Sequence, residues 1–565
     1  MTFNSVYKPS LGRIKRVALL GIVFLSFYSL SIAQNKADFD HPRGLIQASD
    51  VASLRERVKI VPYDNTLQAI LDQFNESYKE GKWKAGNEGW VYAISDLNLK
   101  SAQLYVLTGE AIWAERSKGF VEMILQDTIF FMNPIGRGLT KAAMLKSVMM
   151  AYDYCYEAWD EEFRKRFSKL TYEVIITLSS NMGRSANYDL ASNWMGVRYG
   201  TVLYAALVWD DYESLGNDRN RIKPLEFDGM KRLLDFIGVN VHPEGWNVES
   251  MGYQGYGWSF VFPALIAWEN NYQVDINGFD FYPKMIESQK AWAAASVPIQ
   301  RLNAVGIKPD FSDDGTASSS RLAPYIIHLA PESIKPHFRW LNRLYNSKKK
   351  GKQLVDGGFE SILFDSIEEP AVMPPNDWLS FVDYGQGIVV RRNQYKDEND
   401  IVFAFSATAH RRGHQGSDNL SFRLIGFDNI WAIGSGRTAW TGGQTSFFPN
   451  PPTISDRHKG ELGNLAPVKF SNQSTKITGT GSCTGVIDHT RTIKVAYDSI
   501  NGNPQATFLI KDDSQNGKIW RLNTPEFNSI ELTDKGFIIT APNGHRLVGQ
   551  VKKNKLKDYK ITRGQ

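Results

Sequence analysis

Cysteine is nearly absent: the chain has two, Cys155 and Cys483, in 565 residues. That excludes a disulfide-stapled scaffold, which needs closely spaced cysteine pairs. Cys155 falls in a helix-like stretch and Cys483 in a Gly/Ser/Thr-rich strand region, so they read as free buried thiols in different domains. Net charge is also scarce once the start of the chain is set aside. The whole sequence carries +5, but Lys8, Arg13, Lys15 and Arg16 all lie in residues 1–33, which hold no Asp or Glu. The remainder is therefore almost balanced, which argues against a nucleic-acid binder working through a basic face. An acidic ligand must be met by a local cluster of donors. Internal repeats and low-complexity tracts are lacking as well. The apolar run Val17 to Tyr28 is shorter than the roughly 20 residues of a bilayer span. With the basic residues before it and Ser31-Ile32-Ala33 after it, the segment reads as a signal peptide over 1–33. No Cys follows Ala33, so a lipoprotein anchor there is unsupported. The expectation is an exported protein, periplasmic or extracellular, with no stable membrane insertion after cleavage and no nucleic-acid partner.

What is present divides in two. From about residue 60 to 345 the apolar spacing is mainly helical. Asp96 to Tyr105 runs into Leu107-Thr108-Gly109-Glu110, a helix stop and restart, and Ala111 to Gln126 reads as the return helix. Further helices are expected near 140–158, 162–180, 192–210, 226–238, 253–270, 283–296 and 319–345. Successive helices with short connections pack as antiparallel hairpins, and a long series can curl into an α/α toroid. After Lys348 to Lys352 the texture becomes short, β-rich segments punctuated by Gly, Asn and Asp, such as Gly387 to Arg391 and Ile401 to Phe405. The expected fold is an N-terminal α/α toroid (an incomplete barrel) over 34–350, a linker or sandwich entry over 351–374, and an antiparallel β-sandwich over 375–565. Aromatics are generous, with 15 Trp and 24 Tyr. They suit sugar-stacking platforms and large cores alike.

Three segments are unusual for structural filler: Ser192-Asn193-Trp194-Met195-Gly196-Val197-Arg198-Tyr199-Gly200, Pro243-Glu244-Gly245-Trp246-Asn247-Val248-Glu249 through Tyr253-Gln254-Gly255-Tyr256-Gly257-Trp258, and His410-Arg411-Arg412-Gly413-His414 through Asp418-Asn419-Leu420-Ser421-Phe422. In this order they resemble the heparinase II/III-like polysaccharide lyases, a superfamily that includes alginate lyases. The first resembles that family's Asn-His or Asn-Trp helix start. The second is similar to its Glu-Gly-x-x-Tyr stretch and places the catalytic tyrosine on Tyr253. Asp310-Phe311-Ser312-Asp313-Asp314-Gly315 is similar to the Gly-Asp-Ser loop that follows, and Tyr384-Gly385 through Arg391-Arg392 to the opening of the family's sandwich. The resemblance spans roughly residues 90–440. It implies a toroid-plus-sandwich fold with the cleft between the halves, and cleavage of a uronic-acid glycan by β-elimination.

The chemistry makes these residue types sensible. Elimination removes the C5 proton of a uronic acid and expels the 4-linked oxygen, which requires neutralising the neighbouring carboxylate with hydrogen-bond donors, as an oxyanion hole does. A base takes the proton and an acid protonates the leaving oxygen; tyrosine can do both if positive charge lowers its pKa from about 10. On this reading Asn193 neutralises the carboxylate, Tyr253 is the base or acid, and Tyr256, His410 and His414 share proton transfer or fix the carboxylate. Asn193 has a second reading as a helix N-cap. Both tyrosines have one as core or stacking rings. Trp194, Arg198, Glu249, Trp258, Arg412, Arg437 and Trp440 are substrate-binding candidates, although Arg198 also suits a surface or ion-pair role and Glu249 a structural hydrogen bond.

One departure matters. Many members of the resembled family carry His-x-His-x-Asp here and a later Asp, part of which holds zinc; in this chain the second His position is Gly416, the later Asp falls at Gly434, and a further tyrosine position at Trp440. Glycine has no side-chain ligand, so no metal and no other cofactor is expected. Two alternatives stay open. An α/α-barrel glycoside hydrolase would use two of Glu244, Glu249, Asp313 and Asp314, and a non-catalytic glycan-binding protein would use the aromatic platforms.

Overall fold

A computed structural model describes residues 40–84, 89–126, 138–182, 190–211, 219–299, 301, 304–309, 311, 316–317, 322–346, 358–408, 419–434, 447–448, 462–471, 474–483, 486–500, 503–551 and 561. Helices dominate the first part: α1 (Val51–Arg57), α2 (Tyr63–Glu80), α3 (Trp90–Thr108), α4 (Ala111–Leu125), α5 (Leu139–Cys155), α6 (Glu161–Met182), α7 (Asn193–Val208), α8 (Arg219–Asn240), α9 (Met251–Tyr272) and α10 (Tyr282–Ala295). α3 stops where Gly109 takes φ 73 and gives its N–H to the Tyr105 carbonyl at 2.8 Å. This left-handed cap suits glycine, and the chain turns back into α4 as expected.

α7 and α9 are buried on nearly every side, as befits helices inside a larger array. Two glycines let them close up. A Cβ at Gly196 would lie 2.7 Å from Phe236 on α8, and one at Gly200 would lie 2.5 Å from the Phe260 carbonyl oxygen on α9. Pro263 inside α9 has no N–H, so the Ser259 carbonyl one turn earlier loses its helical donor. Lys146 of α5 supplies a replacement, Nζ to Ser259 O at 2.7 Å, and burial pushes its ammonium pKa down to about 8. The Cys155 thiol is buried, which pushes its pKa up.

The segment ahead of α1 is pinned by charge. His41 gives Nδ1 to Asp153 at 2.7 Å, meets Asp210 through Nε2 at 3.1 Å, and stacks on Tyr156. Arg43 pairs with Asp210, while the backbone N–H groups of Arg43 and Gly44 both bond to Asp153 at 3.0 Å.

α10 ends within one residue of the expected 296, and β1 (Val297–Ile299), β2 (Ala304–Pro309) and β3 (Thr316–Ala317) follow it as an antiparallel sheet. Pro298 forbids helix continuation past Ala295. The single helix expected over 319–345 is two, α11 (Ala323–Leu329) and α12 (Lys335–Asn346), because Ala330 precedes Pro331 and is extended at ψ 155. A short helix, α13 (Phe359–Phe364), lies within the stretch read as a linker.

The second part is antiparallel β. One sheet runs in chain order through β4 (Ser380–Asp383), β5 (Ile388–Arg392), β6 (Ile401–Ser406), β7 (Ser421–Gly426) and β8 (Asn429–Ala432). A second contains β10 (Gly463–Leu465), β11 (Ser474–Cys483), β12 (Val486–Ile500) and β13 (Asn503–Asp513); β9 (Phe447–Phe448) pairs with β14 (Ile519–Trp520), and β15 (Ser529–Thr533), β16 (Gly536–Thr540) and β17 (Arg546–Gln550) form a third. The first sheet is covered on both faces. Val390, Val402, Ala404 and Ile425 join the helical core, while Val389, Phe403, Phe405, Phe422 and Leu424 join Ile477, Ile493 and Val495 of the second sheet. Alternate residues point to opposite faces, so a strand buried on both reads as an unbroken apolar run. Arg392, fully buried, ties this sheet to the end of α10. It pairs with Asp400 at 2.6 Å and bonds the carbonyls of Ala293 and Ser296. Among the described residues no helix is long and apolar enough to cross a membrane; residues 1–33 lie outside them.

Candidate active site

The start of α7 settles which residue caps it. Ser192 is the N-cap, its hydroxyl accepting from the Trp194 N–H at 3.5 Å. Asn193 is therefore the first helical residue, not the cap. Its backbone N–H and its Nδ2 both donate to Glu249 Oε2, at 2.5 and 2.9 Å. The first N–H groups of a helix have no partner within it, and a carboxylate there also meets the positive end of the helix dipole. An Asn amide has two N–H donors. Glu249 takes one and fixes the plane of the group.

Glu249 is placed by a small hairpin. Val241 and Asn247 form an antiparallel bridge, and His242 N–H bonds the Trp246 carbonyl at 2.9 Å. Gly245 turns the chain at φ 109, and a Cβ there would lie 2.6 Å from the Glu287 carbonyl oxygen. Beyond the hairpin, Asn247 Oδ1 accepts from the N–H groups of Glu249 and Ser250 at 3.1 and 3.2 Å. Asn240 Oδ1 in turn accepts from Asn247 Nδ2 at 2.5 Å and Trp258 Nε1 at 3.1 Å, and Asn240 Nδ2 bonds the Ala191 carbonyl. Asn240 and Asn247 were not singled out from the sequence. The available signal was two asparagines bracketing a Pro-Glu-Gly turn.

α9 begins under strain. Ser250 sits at φ 155, ψ 173, a region used almost only by glycine. Its hydroxyl caps the helix by accepting from the Tyr253 N–H at 3.4 Å. Tyr253 is buried at 8% exposure. Gly257, one turn later, faces Asn193, its added Cβ lying 3.4 Å from Asn193 Cβ. Residues four apart share a helix face, so Tyr253 stands on the side of α9 turned toward Asn193. Tyr256 is half-buried and packs edge-on against Phe260, ring centroids 5.7 Å apart. Burial, with a smaller contribution from Tyr92, pushes its phenol up to about 12. A phenol shifted that far stays protonated at neutral pH.

The other site candidates scatter. Trp258 is fully buried with its indole N–H on Asn240, so its ring has no face for a sugar; the expectation of substrate stacking is corrected to a core role. Arg198 is buried at 4% exposure near Gly138, which rules out the surface role, and Trp194 is half-buried. Phe311 is buried beneath the Arg423 guanidinium, 4.8 Å from its ring centroid. His410, Arg412, His414, Arg437 and Trp440 lie outside the described residues, as do Asp313 and Asp314.

The described part of the position set that resembles a zinc site does not fit a metal. Gly434 offers no ligand, and a Cβ there would lie 2.4 Å from Nη2 of Arg423, a buried cation. Among the described residues no group of three or more His, Cys, Asp or Glu side chains is placed to hold an ion.

Comparison of the sequence with family models and with curated proteins finds no match. Comparison of the fold does. Heparinase III aligns with a TM-score of 0.54 at 12% identity, covering 80% of this chain and 68% of its own. A second heparinase III structure aligns at 0.52 and 13% identity, covering 94% and 83%. A mutant of the heparan sulfate lyase HepC from Pedobacter heparinus aligns at 0.50 and 14% identity, covering 90% and 84%. The chain has the fold of these structures, an α-helical toroid followed by antiparallel β-sheets.

Proposed function

We propose that this protein is an exported polysaccharide lyase that cleaves a uronic-acid glycan of the glycosaminoglycan class by β-elimination. The observation that carries the reading is the buried Asn193–Glu249 pair at the start of α7, with Tyr253 on the face of α9 turned toward it. The second N–H of the Asn193 amide neutralises the uronate carboxylate. That stabilises the negative charge developing as C5 loses its proton, the role of an oxyanion-hole donor. Tyr253 takes the C5 proton and can return it to the departing O4, since one group serves both steps when the two atoms lie on one side of the ring. His410 and His414 are the candidates to assist from the sheet half. The names of the structural neighbours support the glycosaminoglycan class, and the near-balanced charge beyond residue 33 favours a substrate with few sulfates.

The hydrolase alternative is weaker on this geometry. Of its four carboxylate candidates, Glu249 is committed through Oε2 to two N–H groups of Asn193. Glu244 lies on the hairpin turn beside Asp383. A panel of uronic-acid polysaccharides decides the matter. A lyase creates ultraviolet-absorbing C4–C5 unsaturated ends, a hydrolase creates reducing ends without that absorbance, and a binding protein leaves polymer length unchanged.

A further inference from the structure

We propose that Asp383, in the β-sheet half, is a positioning residue for the Asn193–Glu249–Tyr253 group, acting through the hairpin of residues 241–247. The inference rests on the lyase reading for its kinetic arm only.

The turn between β4 and β5 is built around this one side chain. Asp383 Oδ1 accepts from the Gln386 N–H at 2.7 Å, and its carbonyl accepts from the Gly387 N–H at 2.8 Å. Its other carboxylate oxygen crosses to the helical half and accepts from the Trp246 N–H at 3.1 Å. Next to it His242 Nε2 meets Gln386 Oε1 at 3.1 Å, and the Trp246 ring packs on Phe381 of β4 with centroids 5.9 Å apart. Gly385 leaves room for this contact, since a Cβ there would lie 2.7 Å from His242 Nδ1. The sheet thus holds the hairpin at both sides of its tip.

The residues next to Trp246 in the chain do the positioning. Asn247 holds the N–H groups of Glu249 and Ser250. Glu249 holds Asn193, and Ser250 caps the helix at Tyr253. A shift at Trp246 therefore reaches Glu249 and Tyr253 within seven residues of chain, and Asn193 through Glu249. Asp383 is fully buried. Burial raises its pKa above the usual carboxylate range, reinforced by Glu244 and opposed by His242 and the two N–H donors. A buried carboxylate kept in place by two backbone donors from two different elements suits a fixed geometric pin better than a solvated loop contact.

The test compares wild type with Asp383→Ala, Asp383→Asn and Gln386→Ala in the full chain, by amide hydrogen exchange and by steady-state kinetics on the best uronan. In Asp383→Ala, exchange at residues 246–253 should quicken about tenfold or more while α3 stays protected, and kcat should fall about 10–100-fold with KM within about threefold, as for misplaced catalytic groups. Asp383→Asn keeps one acceptor oxygen and should recover part of both effects. If Asp383→Ala fails to fold, Gln386→Ala, which loosens only the His242 side, must show the same local quickening and loss of kcat. Unchanged exchange at 246–253, or unchanged kcat alongside quickened exchange, overturns the proposal. A wild-type protein that forms no unsaturated ends overturns the lyase reading instead, and the exchange result then decides the structural link alone.

Discussion

Replacing Glu249 separates two roles that a buried carboxylate beside a candidate catalytic amide could have. Asn193 is 2% exposed and Glu249 3%, so in Glu249→Ala both donors of Asn193 lose their acceptor with little access to water. Each orphaned donor costs about 1–3 kcal/mol, and the truncated side chain leaves a void. The expected loss is about 3–5 kcal/mol of stability, read from the midpoint of urea unfolding. With its plane no longer fixed, the Asn193 amide should also stabilise the transition state poorly, lowering kcat by about 10²–10³, as for a missing oxyanion donor. Glu249→Gln is the informative partner. Its amide oxygen can accept both N–H bonds, so stability should fall by only about 1–2 kcal/mol, the difference between charged and neutral bonds, and kcat should stay within about tenfold. An alanine variant matching wild type in both measurements would refute the idea that Glu249 holds Asn193. A glutamine variant as inactive as alanine would show that the charge itself, and hence acid–base chemistry at Glu249, is what matters.

Tyr253→Phe should keep the unfolding midpoint and KM while kcat drops by at least about 10²; at Tyr256 burial pushes the phenol up to about 12, so Tyr256→Phe should retain most of the rate, and the reverse ranking would move the base to Tyr256. Gly200→Ala drives a Cβ to within 2.5 Å of the Phe260 carbonyl oxygen. It should cost about 1–3 kcal/mol in denaturant unfolding, and an unchanged midpoint would show that α7 and α9 do not pack this closely. For the His41 cluster, burial alone would lower the imidazole pKa, but hydrogen bonds to Asp153 and Asp210 raise it above the ordinary histidine value; Asp210, despite burial, is held at about 2 by His41 and Arg43. The histidine contribution is complete below its unfolded pKa of about 6.5 and fades as pH climbs through the higher folded value, while the aspartate contribution is complete above about 4 and fades as pH falls toward 2. The melting temperature of wild type should therefore exceed that of His41→Gln most between about pH 4 and 6.5; a difference that grows from pH 6.5 to 8 would contradict this.

The helical half was legible because it obeys a simple period. The stop at Thr108-Gly109 and the return helix from Ala111 appear in the structure as α3 and α4, since a left-handed glycine cap is a local decision made by a few residues. The error came at a proline. Pro331 ended a helix that the apolar spacing alone would have continued, and Ala330 before it sits in extended backbone. The site was half legible. Asn193, Glu249 and Tyr253 could be picked out as residue types suited to elimination, but whether Asn193 capped the helix or faced elsewhere depended on Glu249, which lies 56 positions away along the chain. Trp258 shows the opposite error. An aromatic in a chemistry-rich segment looks like a sugar platform, yet its indole serves Asn240 in the core. Burial is a property of the assembled array, and no local pattern of residues within 243–258 announces it.

The same reasoning gives the sheet half a role that its composition did not suggest. β5, β6 and β7 are buried on both faces because Val390, Val402, Ala404 and Ile425 belong to the helical core. The sheet therefore cannot slide over the helices without opening apolar surface. Its turn at Asp383 grips the hairpin that places Glu249, and the end of β6 is tied to that turn, with Ala407 N–H on the Gly387 carbonyl at 2.7 Å. The proposed catalytic arrangement, shared between the helical and sheet halves, needs the two to keep a fixed distance. Here the fixed part is an apolar seam tied by buried Arg392 to the carbonyls of Ala293 and Ser296 and pinned by buried Asp383. Disrupting the seam should abolish folding, whereas disrupting the pin should leave a folded protein with a badly placed Asn193.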